Sequence, residues 1–141
     1  MAKTWKQKLK DSIGKEPKIT ILNKAMSGVA KGGKLLLPTP EMIKEFIERI
    51  PSGQQVGFDQ MRKQIAHSNQ ADISCPLASS SAFRIVAEAA WEEIQEGKSS
   101  DEVVPFWRVL DPFSKVAQKL TCGSGFVESI RQEEGCASSQ K

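Results

Sequence analysis

The stretch Val103-Val104-Pro105-Phe106-Trp107-Arg108-Val109-Leu110 decides how the rest of the chain is read. Two apolar β-branched residues lead into a proline, followed by an aromatic pair, one arginine and two more aliphatics. That order predicts a strand end turning through Pro105. Phe106 and Trp107 then stand at the rim of a cleft, and Arg108 reaches inward to a carbonyl or carboxylate. The same residue types also suit an ordinary edge strand whose aromatic pair is simply core.

Laid beside known active-site segments, this stretch resembles that of the alkylguanine-DNA alkyltransferases, which reads Pro-Cys-His-Arg-Val. Pro105, Arg108 and Val109 match. Phe106 stands where the family has its acceptor cysteine, and Trp107 where it has the activating histidine. Thiolate attack on an alkyl carbon needs a sulfur and a base, and neither a phenyl ring nor an indole supplies one. The resemblance therefore implies a non-enzymatic, alkyltransferase-like protein. It also implies a mainly α fold with a few short strands, the winged helix-turn-helix-like fold of the alkyltransferase C-terminal domain.

Composition is compatible with that expectation. The chain has 141 residues, 39% of them apolar, enough for one domain with a single modest core. No run approaches the roughly 18 apolar residues of a membrane span, and the lysine-rich start lacks the apolar segment of a signal peptide. A cytoplasmic protein is expected, with no membrane partner. Cys75, Cys122 and Cys136 are widely spaced and His67 is the single histidine, so neither a zinc site nor any other cofactor is expected. The net charge of +3 hides an asymmetry: residues 1–34 hold nine lysines against Asp11 and Glu16, and the remainder is net acidic. A basic arm on an acidic body can contact phosphate, or can be a solvated tail.

Residues 1–38 are read as this basic arm with short strands, 39–135 as the alkyltransferase-like domain and 136–141 as a disordered polar tail. Trp5 and Leu9 are spaced for a short helix, with Trp5 as an anchor docking the arm. Ile19 to Leu22 and Lys34 to Leu37 are short enough for strands. Thr39 and Pro40 open a helix over about 40–50, whose face is Met42, Ile43, Phe46, Ile47 and Ile50. Asp59 is a candidate cap for a helix through Met61, Ile65 and Ala66. Cys75-Pro76 opens a long helix through Leu77, Ala82, Phe83, Val86, Ala89, Ala90 and Ile94, and Phe126, Val127 and Ile130 mark a last short one.

Further matches carry candidate site residues. Pro51 to Phe58 resembles the family's Pro-x-Gly-x-Val-x-Thr/Ser-Tyr, which puts Phe58 on the tyrosine that contacts the DNA backbone. The small residues at the start of the long helix, Ser79, Ser80, Ser81 and Ala82, would let its backbone approach the minor groove. They equally suit packing against another helix. Arg84 to Ala89 resembles Arg-Ala-Val-Gly-x-Ala, so Arg84 would fill the base stack after a nucleotide swings out. A competing register puts a serine there. The link from His67 to Ser74 is longer than the family's turn. The segment to Leu120 takes the place of the wing, and Glu133-Glu134-Gly135 matches the terminal Glu-Gly. Glu134 would support the residue at 107, and Pro105, Phe106, Trp107, Arg108 and Glu134 together would form the lesion pocket.

Three functions compete. The first is a monomeric, non-enzymatic protein that binds double-stranded DNA, flips an alkylated guanine into the Phe/Trp/Arg pocket and marks it for a repair-protein partner. The second is a winged-helix-like module that binds DNA generally or a protein. The third is an enzyme using a different thiol, for which Cys75, just before a helix N-terminus, has the physical case.

Overall fold

The helix opened by Thr39 forms as its sequence dictates and anchors the core. In the computed structural model, which describes residues 4–25, 28–51, 53–110 and 115–133, the Thr39 hydroxyl accepts a hydrogen bond from Met42 N–H at 3.3 Å. Pro40 takes the first helical position, where its missing N–H costs nothing. In chain order the elements are α1 (Trp5–Ser12), β1 (Lys18–Ile21), β2 (Lys34–Leu37), α2 (Pro40–Glu48), α3 (Phe58–Ser68), β3 (Ile73–Ser74), α4 (Pro76–Gln95), α5 (Lys115–Lys119) and α6 (Gly123–Glu133). Two single 3₁₀ turns, Ser100–Glu102 and Phe106–Val109, lie between α4 and α5. The protein is mainly helical with one small sheet.

That sheet has the order β1-β2-β3, antiparallel between the first pair and parallel between the second. The central strand carries Leu36 into the core with no exposure, while β1 is exposed along its whole length. β3 falls inside the link between α3 and α4. Arg62 of α3 secures it, donating to the Ser74 carbonyl at 3.1 Å while the Ser74 hydroxyl donates back to the Arg62 carbonyl at 2.7 Å. Gln70 turns the chain between the two with φ of 62°, and Gly33, beside Asp72, has no room for a Cβ against Val29.

The core is built on α2, α3 and α4, with Ile43, Ile47, Met61, Phe83 and Val86 all at 0% exposure. α1 lies along α4, and the contact is specific. Glu92 of α4 accepts hydrogen bonds from Trp5 N–H at 3.1 Å and Lys6 N–H at 3.0 Å, satisfying two orphan donors at the start of α1 with a carboxylate. Lys6 reaches Glu96 at 2.5 Å. The lysine-rich arm is thus tied down by the acidic face of the long helix.

Three expectations are corrected. The stretch 103–110 is not a strand end: Phe106–Val109 coil into a 3₁₀ turn, because Pro105 cannot donate and the chain closes locally through Phe106 N–H to the Val104 carbonyl at 2.8 Å. The wing position is helical in the described residues, as α5. Asp59 does not cap α3, whose N-cap is Gly57; the carboxylate pairs instead with Arg62 at 3.0 Å. The tail over 136–141 lies outside the described residues.

Candidate functional site

The 3₁₀ turn after Pro105 sends its aromatic pair inward. Phe106 is 0% and Trp107 1% exposed. They meet edge to face at 5.1 Å, and Phe126 of α6 covers both, at 6.2 and 6.3 Å. The expectation of rim aromatics is therefore corrected: the pair is core, because both rings pack against Phe126 of α6. The indole N–H of Trp107 has no hydrogen-bond partner among the described residues, and Glu134 lies outside them.

What the turn leaves accessible is Arg108. Its guanidinium donates to the Ile50 carbonyl at 2.6 Å, and its own carbonyl accepts from Val56 N–H at 2.9 Å. These two bonds clip the loop after α2 to the turn. Between them opens a cleft of about 580 Å³, lined by Gln55, Val56, Gly57, Phe58 and Asp59 on one side and by Arg108, Val109, Leu110, Val116 and Arg131 on the other. Its volume is that of a small-molecule site. Phe58, the first residue of α3, is half-buried and packs edge to face on Phe83 at 5.4 Å. The cleft thus brings together Phe58 and Arg108, which come from separate stretches of sequence, and leaves out Phe106 and Trp107.

The start of α4 divides by helical face. Ser79 and Ala82 are buried, at 1% and 4% exposure, so the expectation that they contact DNA is corrected: their face of the helix packs inward. Ser80 is half-buried and Ser81 exposed, and Leu77, Ser81 and Arg84 form the outer stripe, with Leu77 81% exposed. Arg84 lies over the Trp5 ring at 5.1 Å and its Nε pairs with Glu88 at 3.5 Å. Pro105 is half-buried beside the turn.

Sequence reasoning missed Glu88, which lies inside the Arg84 to Ala89 stretch. It is a carboxylate at 1% exposure that accepts from both the backbone N–H and the hydroxyl of Thr121, each at 3.0 Å, fastening α4 to the start of α6. A glutamate falling on the apolar face of a helix, between Val86, Ala87, Ala89 and Ala90, was the available signal. Burial pushes the neighbouring Cys122 thiol up to about 11, with the Glu88 charge adding to the effect. Arg131 was missed as well. Cys75 caps α4 by position, half-buried, with its N–H on the Leu36 carbonyl at 2.8 Å.

No group of three or more metal-ligating side chains occurs among the described residues, and none of their helices is long and apolar enough to cross a membrane. Comparison with protein-family models, with curated proteins and with solved structures returns no match.

Proposed function

We propose that the protein is a non-enzymatic, alkyltransferase-like DNA-binding protein. It binds duplex DNA through α3, β3 and α4 as a helix-turn-helix and receives an extruded, alkylated guanine in the cleft between Phe58 and Arg108. A single observation carries this reading: two positions matched independently to the family, one from Pro51 to Phe58 and one from Pro105 to Val109, line the same cleft. In this cleft Phe58 offers a ring for stacking, Arg108 a donor and Val109 an apolar wall. Arg84 projects from the outer stripe of α4, where a guanidinium can hold the vacated stack. The lysines of α1 and of 18–34 add sequence-independent attraction to phosphate.

The test is a titration of duplexes with and without an alkylated guanine, at two salt concentrations, followed by anisotropy. The modified duplex should bind more tightly, and Phe58→Ala should remove that preference by about tenfold, since stacking a base on an aromatic ring is worth roughly 1–3 kcal/mol. Intact mass should stay unchanged throughout. Equal binding of both duplexes by parent and variant would refute the lesion reading.

One observation favours a second reading, a protein-binding module. Arg84 is the one basic residue of α4 and is already engaged by Glu88 and Trp5, while exposed Leu77 lies on the same stripe. The absence of duplex binding at low salt would bring that reading forward.

A further inference from the structure

The wall of the cleft contains a cation with no carboxylate partner among the described residues. Arg131, on the last turn of α6, is 7% exposed. Its guanidinium donates to the carbonyl of Leu110, and its Nε has no partner among the described residues. Among the described residues no carboxylate forms an ion pair with it. Of the carboxylates on α6, Glu128, three residues before it, forms no ion pair with it and Glu133 is exposed. Asp59, the one carboxylate among the described residues lining the cleft, is 85% exposed and held by Arg62.

An arginine stays protonated under all ordinary conditions, and a guanidinium withdrawn from water without a counter-charge is costly. One neutral carbonyl and the weak negative end of α6 offset only part of that cost. An oxyanion entering the cleft would offset the rest, because a carboxylate or phosphate can accept from the guanidinium fork in a charge-assisted bond. The remaining walls specify the body of such a ligand. Val56, Phe58, Val109, Leu110 and Val116 make the cleft mainly apolar.

We infer that this cleft is a binding site for small anions with a flat apolar body, whose carboxylate or phosphate pairs with Arg131. The inference goes beyond the DNA reading, since such a ligand binds without a duplex. In the DNA reading, the phosphate of the extruded nucleotide would be the anion.

The test compares 2-naphthoate with 2-naphthamide, which has the same body without the charge, and with 2-naphthyl phosphate. Each is titrated into the full chain and followed by amide chemical shifts. Both anions should bind at least tenfold more tightly than the amide, with shifts at Val56, Gly57, Arg108 and Leu110. Arg131→Gln should abolish the preference for charge, and Arg131→Lys should restore part of it. Because Arg131 also holds the Leu110 carbonyl, Val116→Trp is added as a variant that fills the cleft and leaves the arginine in place; it should block all three probes.

Asp111 follows Leu110 directly and lies outside the described residues, so Asp111→Asn serves as the control. Naphthoate affinity within twofold of the parent supports the inference, and a tenfold gain overturns it by making Asp111 the arginine's own counter-ion. Equal binding of acid and amide, or a charge preference that survives Arg131→Gln, also overturns it. Naphthoate binding in a protein that ignores duplex DNA would leave the anion site standing and remove the DNA reading alone.

Discussion

Replacing Glu88 should expose how much of the fold depends on one buried carboxylate. Glu88→Ala removes two hydrogen bonds to Thr121, each 3.0 Å long, and a 3.5 Å pairing with Arg84. Bonds to a charged acceptor are worth about 1.5–3 kcal/mol each when the donor is left unsatisfied. Thr121 is exposed, however, so water replaces the lost acceptor and roughly halves that figure. The Arg84 side chain is 46% exposed, which limits its share to about 0.3–0.5 kcal/mol. The cavity left in the α4 face adds about 1 kcal/mol. The expected loss is thus about 3–4.5 kcal/mol, seen as a lower urea midpoint at unchanged slope. Glu88→Gln keeps the shape and one acceptor, and should cost about 1 kcal/mol. The same substitution lowers the Cys122 thiol, so alkylation at fixed pH should speed up. A loss under 1 kcal/mol for Glu88→Ala, with no change in thiol reactivity, would refute the role assigned to Glu88.

The remaining expectations concern the thiol, the aromatic pair and the arm. With the folded thiol raised to about 11, the stabilising effect of keeping Cys122 protonated is fully present below the unfolded value near 8.5 and is lost as pH rises toward the folded one. Iodoacetamide labelling mapped to Cys122 should keep accelerating up to about pH 11, and a plateau near pH 9 would contradict the burial. Trp107→Ala should destabilise by about 3–5 kcal/mol, whereas Trp107→Phe, which removes an unpartnered N–H as well as volume, should cost under about 2 kcal/mol; equal losses would show that the indole N–H is satisfied. Trp5→Ala removes the ring beneath Arg84 and Lys8, contacts worth about 0.5–1 kcal/mol each at exposed sites. It should speed amide exchange across α1 while leaving α2 and α4 protected, and uniform protection would mean that Trp5 is no anchor.

The elements that could be read from the sequence are those whose local signals agree. Thr39-Pro40 followed by Met42, Ile43, Phe46 and Ile47 predicts a helix over about 40–50, and α2 spans Pro40–Glu48. Cys75-Pro76 likewise opens α4, and the strand at Lys34 to Leu37 is β2. What escaped were features set by partners distant in sequence. β3 is two residues long and exists because Leu35 and Leu36 lie alongside Ile73 and Ser74, which no local pattern announces. The direction of Phe106 and Trp107 depends on a turn closed by Pro105 and on Phe126 twenty residues later. Of the candidate site, Phe58 and Arg108 were legible as residue types in recognisable company. Arg131 was not, since an arginine in a helical heptad normally reads as solvated and its burial follows from the Leu110 carbonyl it meets.

The inward turn at Pro105 closes the two positions that follow it, since 106 and 107 are at 0% and 1% exposure beneath Phe126. A sulfur and an imidazole placed there would face a hydrocarbon interior, where the charged thiolate is disfavoured and a substrate carbon has no route in. Arg108 is the first side chain after them to reach the cleft, and the loop it clips through Ile50 and Val56 sets that cleft's opposite wall. Beneath Phe126 the aromatic pair is packing, and the cleft beside it carries the Phe58 ring and the side chains of Arg108 and Arg131 in its walls.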